Sequence, residues 1–306
     1  MKLAVVGAGA MGGALAAEAA AAGHDVHVLE VNREMIDTIN RVGLTVRSDA
    51  GELVQPVRAT ADAAEIGAVD VVVVFVKAHH TRSAAEAMTP LCGDSTVIAS
   101  LQNGWGNSDV LAEVHGTRRL VFGVTYHSCS VEGLARIAHT GRGETVIGPY
   151  TEGNQAPTER LAGLLTSAGW PTRIEPEVRT EIWKKVILNA ATLPTAALTT
   201  LAAGDLARDP EMRALVDGVA TEACAVARAM GLDVEVGERI TRIHQILEGA
   251  GKGKASMLQD ALARRKTELE VINEAVVRGG DKYGVAVPLN RALVALVRGL
   301  ERSWTL

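Results

Sequence analysis

The chain has 306 residues, enough to bury two modest cores, and its 47% hydrophobic and 22% charged residues are those of an ordinary globular protein. A net charge of −5 leaves no basic footprint for nucleic acid, so no nucleic-acid partner is expected. The three cysteines, Cys92, Cys129 and Cys224, are far apart and odd in number; they suit a reducing cytoplasm, and no metal site is expected from their spacing.

The first thirty residues set the organisation. Lys2 to Val6 reads as a short buried strand, Gly7-Ala8-Gly9-Ala10-Met11-Gly12 as a GxGxxG turn, the Ala-rich run to Ala22 as a helix, and Asp25 to Glu30 as a second strand. Glycine suits a tight bend, a close approach of backbone to a pyrophosphate, and contact of helix with strand, while the helix N-terminus offers free N–H groups. Gly7, Gly9, Ala10, Met11 and Gly12 are therefore expected to hold a dinucleotide. GxGxxG alone is a weak signal, but here it lies between strand and helix, with an acid closing the next strand. Glu30 can accept from both hydroxyls of the adenosine ribose and would repel a 2′-phosphate, which reads as NAD(H). Arg33, three residues on, reads either as a residue that swings to a 2′-phosphate, which would suit NADP(H), or as a solvated first-turn residue of the next helix.

A helix is expected over Arg33 to Arg41, then a hairpin of Gly43 to Arg47 and Glu52 to Arg58 turned at Asp49-Ala50-Gly51. The unbroken apolar run Val71 to Val76 suits a central parallel strand buried on both faces. It is too short to span a bilayer, and with no signal peptide visible no membrane partner is expected. Lys77 follows at its carboxyl end, where ligands bind in open α/β sheets; it reads either as a cofactor or substrate contact or as a solvated strand end. His79 and His80 read as surface or helix-start residues. The strand Thr96 to Leu101 ends in Gln102-Asn103-Gly104, and Asn103 could orient a nicotinamide or a carbonyl, or simply form the turn. Strands at Leu120 to Val124, Tyr126 to Ser130, Ala135 to His139 and Glu144 to Gly148 are expected to extend the same sheet. His127 and His139 read as structural. A helix at Thr158 to Ala168 and a strand at Thr172 to Glu175 finish the first domain.

From Val178 onward only helical periodicity remains, over Glu181 to Ala190, Pro210 to Met230, Val236 to Glu248, Thr267 to Arg278 and Pro288 to Arg302. The expectation is an α/β chain: a Rossmann-type dinucleotide-binding domain over 1–176, then an all-helical substrate and dimerisation domain over 177–306, with substrate in a cleft between them. The Ala- and Val-rich faces of the last helices suit a homodimer. In EIWKKVILN, Lys185 and Asn189 are four apart and share a face, although an ordinary pair with Glu181 also explains the lysine. Ser256 with Gln259 and Thr267 with Glu270 read as capping boxes. One continuous helix would hold Ser256 and Glu268 about 18 Å apart at 1.5 Å per residue. A break at Ala263 to Lys266 would let them meet.

Taken together these motifs resemble the ketopantoate reductase (2-dehydropantoate 2-reductase) family over nearly the whole chain. The matching residues are GAGAMG at Gly7 to Gly12, VKA at Val76 to Ala78, LQNG at Leu101 to Gly104, HTGRGETVIG at His139 to Gly148, WKKVILNA at Trp183 to Ala190, SMLQD at Ser256 to Asp260, TELEVIN at Thr267 to Asn273 and the run ending at Pro288. The resemblance implies NADPH-dependent reduction of a 2-keto acid. It implies Lys185 as general acid, Glu268 as a second essential polar group, Asn103, Asn189 and Ser256 as substrate contacts, and Lys77 near cofactor and substrate. Three positions depart from the family pattern. Val31 stands where an arginine receives the 2′-phosphate, and Leu193 and Gly253 stand where asparagines are usual. The alternatives are an NAD-linked dehydrogenase of another hydroxy acid or hydroxymethyl compound, a non-catalytic NAD(H) sensor, and a structural or interaction protein that keeps only the fold.

Overall fold

The first helix, Ala10–Ala21, buries every residue from Gly12 to Ala19 and is apolar on all sides except at Glu18. A helix of that kind needs cover on more than one side, and the first unit of the fold is the answer to that requirement. The computed structural model describes residues 1–305. It divides into two compact units, Met1–Gln102 with Asn107–Val178, and Asn103–Gly106 with the residues from Arg179 onward.

The first unit contains β1 (Lys2–Val6), β2 (Asp25–Leu29), β3 (Leu44–Ser48), β4 (Gly51–Gln55), β5 (Arg58–Thr60), β6 (Val71–Val74), β7 (Val97–Ser100), β8 (Leu120–Thr125), β9 (Ser128–Gly133), β10 (Arg136–Gly141), β11 (Thr145–Pro149) and β12 (Thr172–Ile174). Eight of them form one sheet in the order β12-β11-β8-β7-β6-β1-β2-β5. Its central strands are parallel, β11 runs antiparallel to β8, and β12 lies parallel to β11. The alternating residues of β6 show why the run reads as continuously apolar. Val71 and Val73 enter the core on one face, Val72 and Val74 the core on the other.

The remaining strands do not extend this sheet, contrary to the expectation for residues 126–139. β9 and β10 join the β3–β4 hairpin in a separate four-stranded sheet, β4-β3-β10-β9, with β10 parallel to β3. The first helix packs against this second sheet as well as the first. Gly13 allows the contact, because a Cβ there would lie 2.8 Å from Ile137 Cδ1.

Glu18 is thereby buried, at 7% exposure, and is fully engaged. Oε2 accepts from Trp170 Nε1 (2.6 Å), and Oε1 accepts from Arg142 (2.5 Å) and His139 Nδ1 (3.0 Å). His139 Nε2 in turn meets His127 Nδ1 at 2.8 Å, and the His127 ring stacks on Trp170. Burial pushes the Glu18 carboxyl up, but the bonds from His139 and Trp170 and the charges of His139 and Arg142 outweigh it and hold the group below the usual carboxylate value.

The second unit is helical: Val178–Thr199, Ala203–Arg208, Pro210–Ala229, Val236–Ala250, Ser256–Leu262, Asn273–Tyr283 and Pro288–Ser303. The first of these runs well past the expected end at Ala190 and carries Pro194 inside it. Neither expected capping box forms. Ser256 is the first residue of its helix rather than its cap, and the Thr267 hydroxyl donates to Glu301 Oε1 at 2.7 Å. The expected helix from Thr267 begins only at Asn273, after a 3-10 turn over Leu269–Val271. Among the described residues no helix is long and apolar enough to cross a membrane.

Replacing Glu18 with leucine strands Trp170 Nε1 and His139 Nδ1 in the interior. The variant is expected to lose about 2–4 kcal/mol of unfolding free energy in urea titration.

Candidate active site

The residues expected to cradle a dinucleotide lie wholly in the first unit, apart from Asn103. Gly7 has φ +97°, and a side chain there would press on Val76 at 3.0 Å. A Cβ on Gly12 would run into the Gly7 carbonyl, so this glycine sets the closeness of helix to turn. A Cβ on Gly9 would project into open space, and no side chain caps the helix that starts at Ala10. The N–H groups of Ala10, Met11 and Gly12 at that terminus are thus served by no capping side chain, as phosphate binding requires. Glu30 closes the cradle. Its Oε2 accepts from Ala8 N (2.8 Å), and Oε1 accepts from Val31 N (2.9 Å) and Asn32 N (3.0 Å). The carboxylate is held by three backbone donors, and of its roughly four lone-pair sites it keeps one, on Oε2, for a further donor. Val31 is 85% exposed, and Arg33 is exposed on the first turn of the following helix.

At the carboxyl edge of the sheet Lys77 is half-buried and precedes a short 3-10 turn, Ala78–His80, in which His79 and His80 fall. Gln102, to which the sequence assigned no role, ties this edge together. Its amide donates to Val76 O and to Thr81 Oγ1, both at 2.8 Å, and accepts from Ser100 Oγ at 3.0 Å. Among the described residues no cluster of histidine, cysteine or carboxylates suits a metal ion.

The other candidate residues, Asn103 included, gather in the second unit. Gly104 has φ +88° and lies so close to Val271 that any Cβ would collide with it, and Trp105 N donates to Val271 O at 2.8 Å. This pins the Asn103 turn beside the 3-10 turn that follows Glu268. Trp105 also packs on Trp183 of the long helix, with ring centroids 5.6 Å apart. Lys185 and Asn189 share a face of that helix, while Glu181 accepts from Lys184 at 2.8 Å. Burial draws the Lys185 ammonium down from 10.5 to about 8, against the neighbouring Glu268 carboxylate, which raises it. Glu268 and Asn189 are themselves buried, at 8% and 7% exposure. Ser256 is exposed at the head of the Ser256–Leu262 helix; the chain then breaks, with Arg264 at φ 50°, so that Ser256 and Glu268 do not share a helix.

Asn273 makes this arrangement possible, and sequence reasoning missed its role. Pro194 has no N–H to give to the carbonyl four residues back, which is that of Ala190. Asn273 Nδ2 supplies the missing donor at 2.9 Å, and also donates to Asn290 Oδ1 at 3.1 Å. Asn290 donates in turn to Glu222 Oε2 at 2.8 Å. The helix bearing Lys185 and the segment bearing Glu268 are therefore joined through a bond that a mid-helix proline calls for. That proline was the available signal.

A glycine turn that leads into a helix N-terminus with no capping side chain, in one unit, and a partly desolvated lysine beside a carboxylate, in the other, are features that suit the class of dinucleotide-dependent oxidoreductases. Residues 3–152 match the family described as "Ketopantoate reductase PanE/ApbA", and residues 177–301 match its C-terminal counterpart. The 2-dehydropantoate 2-reductase of Halobacterium salinarum is 31% identical over 305 residues, covering 99% of this chain and 100% of that one. A PanE/ApbA family ketopantoate reductase from Ralstonia eutropha is 33% identical and superposes with a TM-score of 0.91, each chain covered fully. D-mandelate dehydrogenase, solved with NADH and anilino(oxo)acetate, shares the fold at a TM-score of 0.95 and 24% identity. The chain belongs to the ketopantoate reductase family and is an NAD(P)-dependent oxidoreductase.

Asn273→Leu leaves the Ala190 carbonyl without a partner and is expected to cost about 1–3 kcal/mol in urea unfolding. Pro194→Ala, which returns an N–H to that carbonyl, should recover part of the loss in the double variant and so reveal the coupling.

Proposed function

We propose that the chain reduces a 2-keto acid, 2-dehydropantoate or a close relative with another side chain, to the 2-hydroxy acid. Residues 1–176 serve as the dinucleotide domain and residues 177–306 as the substrate domain. When bound, the reduced nicotinamide supplies the hydride that the carbonyl carbon accepts. The carbonyl oxygen takes a proton from the Lys185 ammonium as negative charge develops on it, so the products are the hydroxy acid, the oxidised dinucleotide and a neutral lysine that solvent reprotonates. Glu268 orients Lys185 and accepts from the substrate hydroxyl. Asn189 and Ser256 bind the substrate's polar end, Asn103 holds a carbonyl, and Lys77 serves cofactor and substrate. Gly7, Gly9, Ala10, Met11 and Gly12 receive the pyrophosphate.

The observation that carries this reading is Lys185 itself. A lysine drawn down to about 8 beside a buried carboxylate is still charged at neutral pH and gives up its proton more readily than a surface lysine. Glu30, fixed on three backbone N–H groups at the strand end, supports NAD(H) over NADP(H), because a 2′-phosphate would meet its charge. A second reading, an NAD-linked dehydrogenase acting on another hydroxy acid, is favoured by Glu30 with Leu193 and Gly253.

Lys185→Ala is expected to lower kcat about 10²- to 10⁴-fold at saturating substrate, and undiminished turnover would remove the lysine from its role. The reduction needs the protonated lysine, so its kcat/KM should be level below pH 8 and fall as pH rises through about 8. Oxidation of the hydroxy acid needs the neutral amine and should rise over the same interval. For the cofactor, NADH should outperform NADPH in kcat/KM, and Glu30→Ala should shift that ratio toward NADPH by about tenfold or more.

A further inference from the structure

Beyond Lys185, the face of the Val178–Thr199 helix continues one turn to Asn189 and a second to Leu193, about 12 Å along at 1.5 Å per residue. There it forms one wall of a half-open cavity of roughly 160 Å³, whose other walls include Leu206, Ile246, Leu247 and Ala250. Its lining is almost entirely aliphatic. On the side of the helix that continues from Lys185, Leu188 and Asn189 line the cavity together; Thr192 is the other polar residue, and its hydroxyl is spent on the Leu188 carbonyl at 2.8 Å.

Leu193 and Gly253, the two positions at which the resemblance implies asparagines, both belong to this neighbourhood. Leu193 contributes hydrocarbon to the wall, 8% exposed. Gly253 lies in the loop that joins two wall residues, Ala250 and Ala255. A Cβ on it would sit 2.9 Å from the Ala250 carbonyl, so an asparagine does not fit there without a shift of backbone. The same loop is drawn onto the head of the Ala203–Arg208 helix by Ala203 N donating to Gly253 O (3.1 Å) and Gly204 N to Gly251 O (2.7 Å).

We infer that this cavity is the side-chain subsite, and that it takes a 2-keto acid whose side chain is wholly apolar, a branched alkyl or phenyl group, rather than one bearing a hydroxymethyl. The inference rests on the keto-acid reading above. The volume agrees with it, since an apolar cavity of about 150 Å³ holds a benzene molecule. The chemistry agrees as well. A hydroxyl carried into these walls leaves its water partners and finds no replacement, which costs about 10- to 100-fold in affinity.

The test is steady-state kinetics of the whole chain with NADH and NADPH over pyruvate, ketobutyrate, ketoisovalerate, ketoisocaproate and phenylglyoxylate. Trimethylpyruvate and ketopantoate, which differ by one hydroxyl, complete the series. kcat/KM should climb about fourfold per added methylene through the alkyl members, and trimethylpyruvate should exceed ketopantoate about tenfold or more. Leu193→Asn should narrow that last ratio. Ala250→Phe, a change at an exposed position at the cavity's edge, should cut kcat/KM for ketoisocaproate and phenylglyoxylate about tenfold or more while moving pyruvate about threefold or less. A profile that is flat with side-chain size, or ketopantoate equal to or better than trimethylpyruvate, overturns the apolar subsite and leaves the reductase reading standing. No turnover of any of these keto acids with either cofactor overturns the reading and the subsite with it.

Discussion

The geometry of the helical unit around Lys185 depends on one hydrogen bond, from the Asn273 amide to the carbonyl of Ala190. Pro194 breaks the ladder of its helix at that carbonyl, and a buried carbonyl without a donor is costly. Asn273 repairs the break from a different part of the chain, five residues after Glu268. Satisfying the backbone of one element thereby brings a carboxylate from another to the face that carries Lys185 and Asn189. The Asn103 turn is set against the same segment by a different device, the absence of a side chain at Gly104. Three sequence-distant stretches thus converge through backbone requirements.

The first unit solves a different problem. A helix apolar all round supplies close contact with β1 and leaves its first N–H groups without a capping side chain, but it must then be buried on its other side too. The second sheet does this, and the single charge on the helix, Glu18, is neutralised and hydrogen-bonded where the two coverings meet. Glu30 ties the glycine turn to the tip of β2 with the group proposed to read the ribose. Scaffold and recognition share the same atoms here, which keeps the cradle rigid.

Much of the site's character was open to reading in the chain. The GxGxxG turn, the acid at the end of β2 and the apolar run at Val71 are local patterns, and they determine a parallel sheet with a glycine turn at its edge because strand period and helix terminus are local properties. The pairing of Lys185 with Asn189 follows from helical spacing alone. Ser256 and Thr267 misled as caps, because a side-chain oxygen bonds whichever donor or acceptor tertiary packing brings to it, and for Thr267 that was Glu301.

The destination of β9 and β10 was equally out of reach, since alternation identifies a strand but not its neighbours; only the uncovered side of the first helix decides that they leave the main sheet. The cavity beside Asn189 is assembled from three helices and a loop, and its volume is a sum over residues far apart in the chain. By itself, then, the sequence determined the class of fold, the glycine turn with the acid that closes β2, and the shared helix face of Lys185 and Asn189, all of which depend on short-range spacing. Tertiary structure alone decided which groups surround that lysine, how far burial draws its ammonium down, and what lies beyond it, because burial and contact are set by the packing of segments that the order of residues does not place side by side.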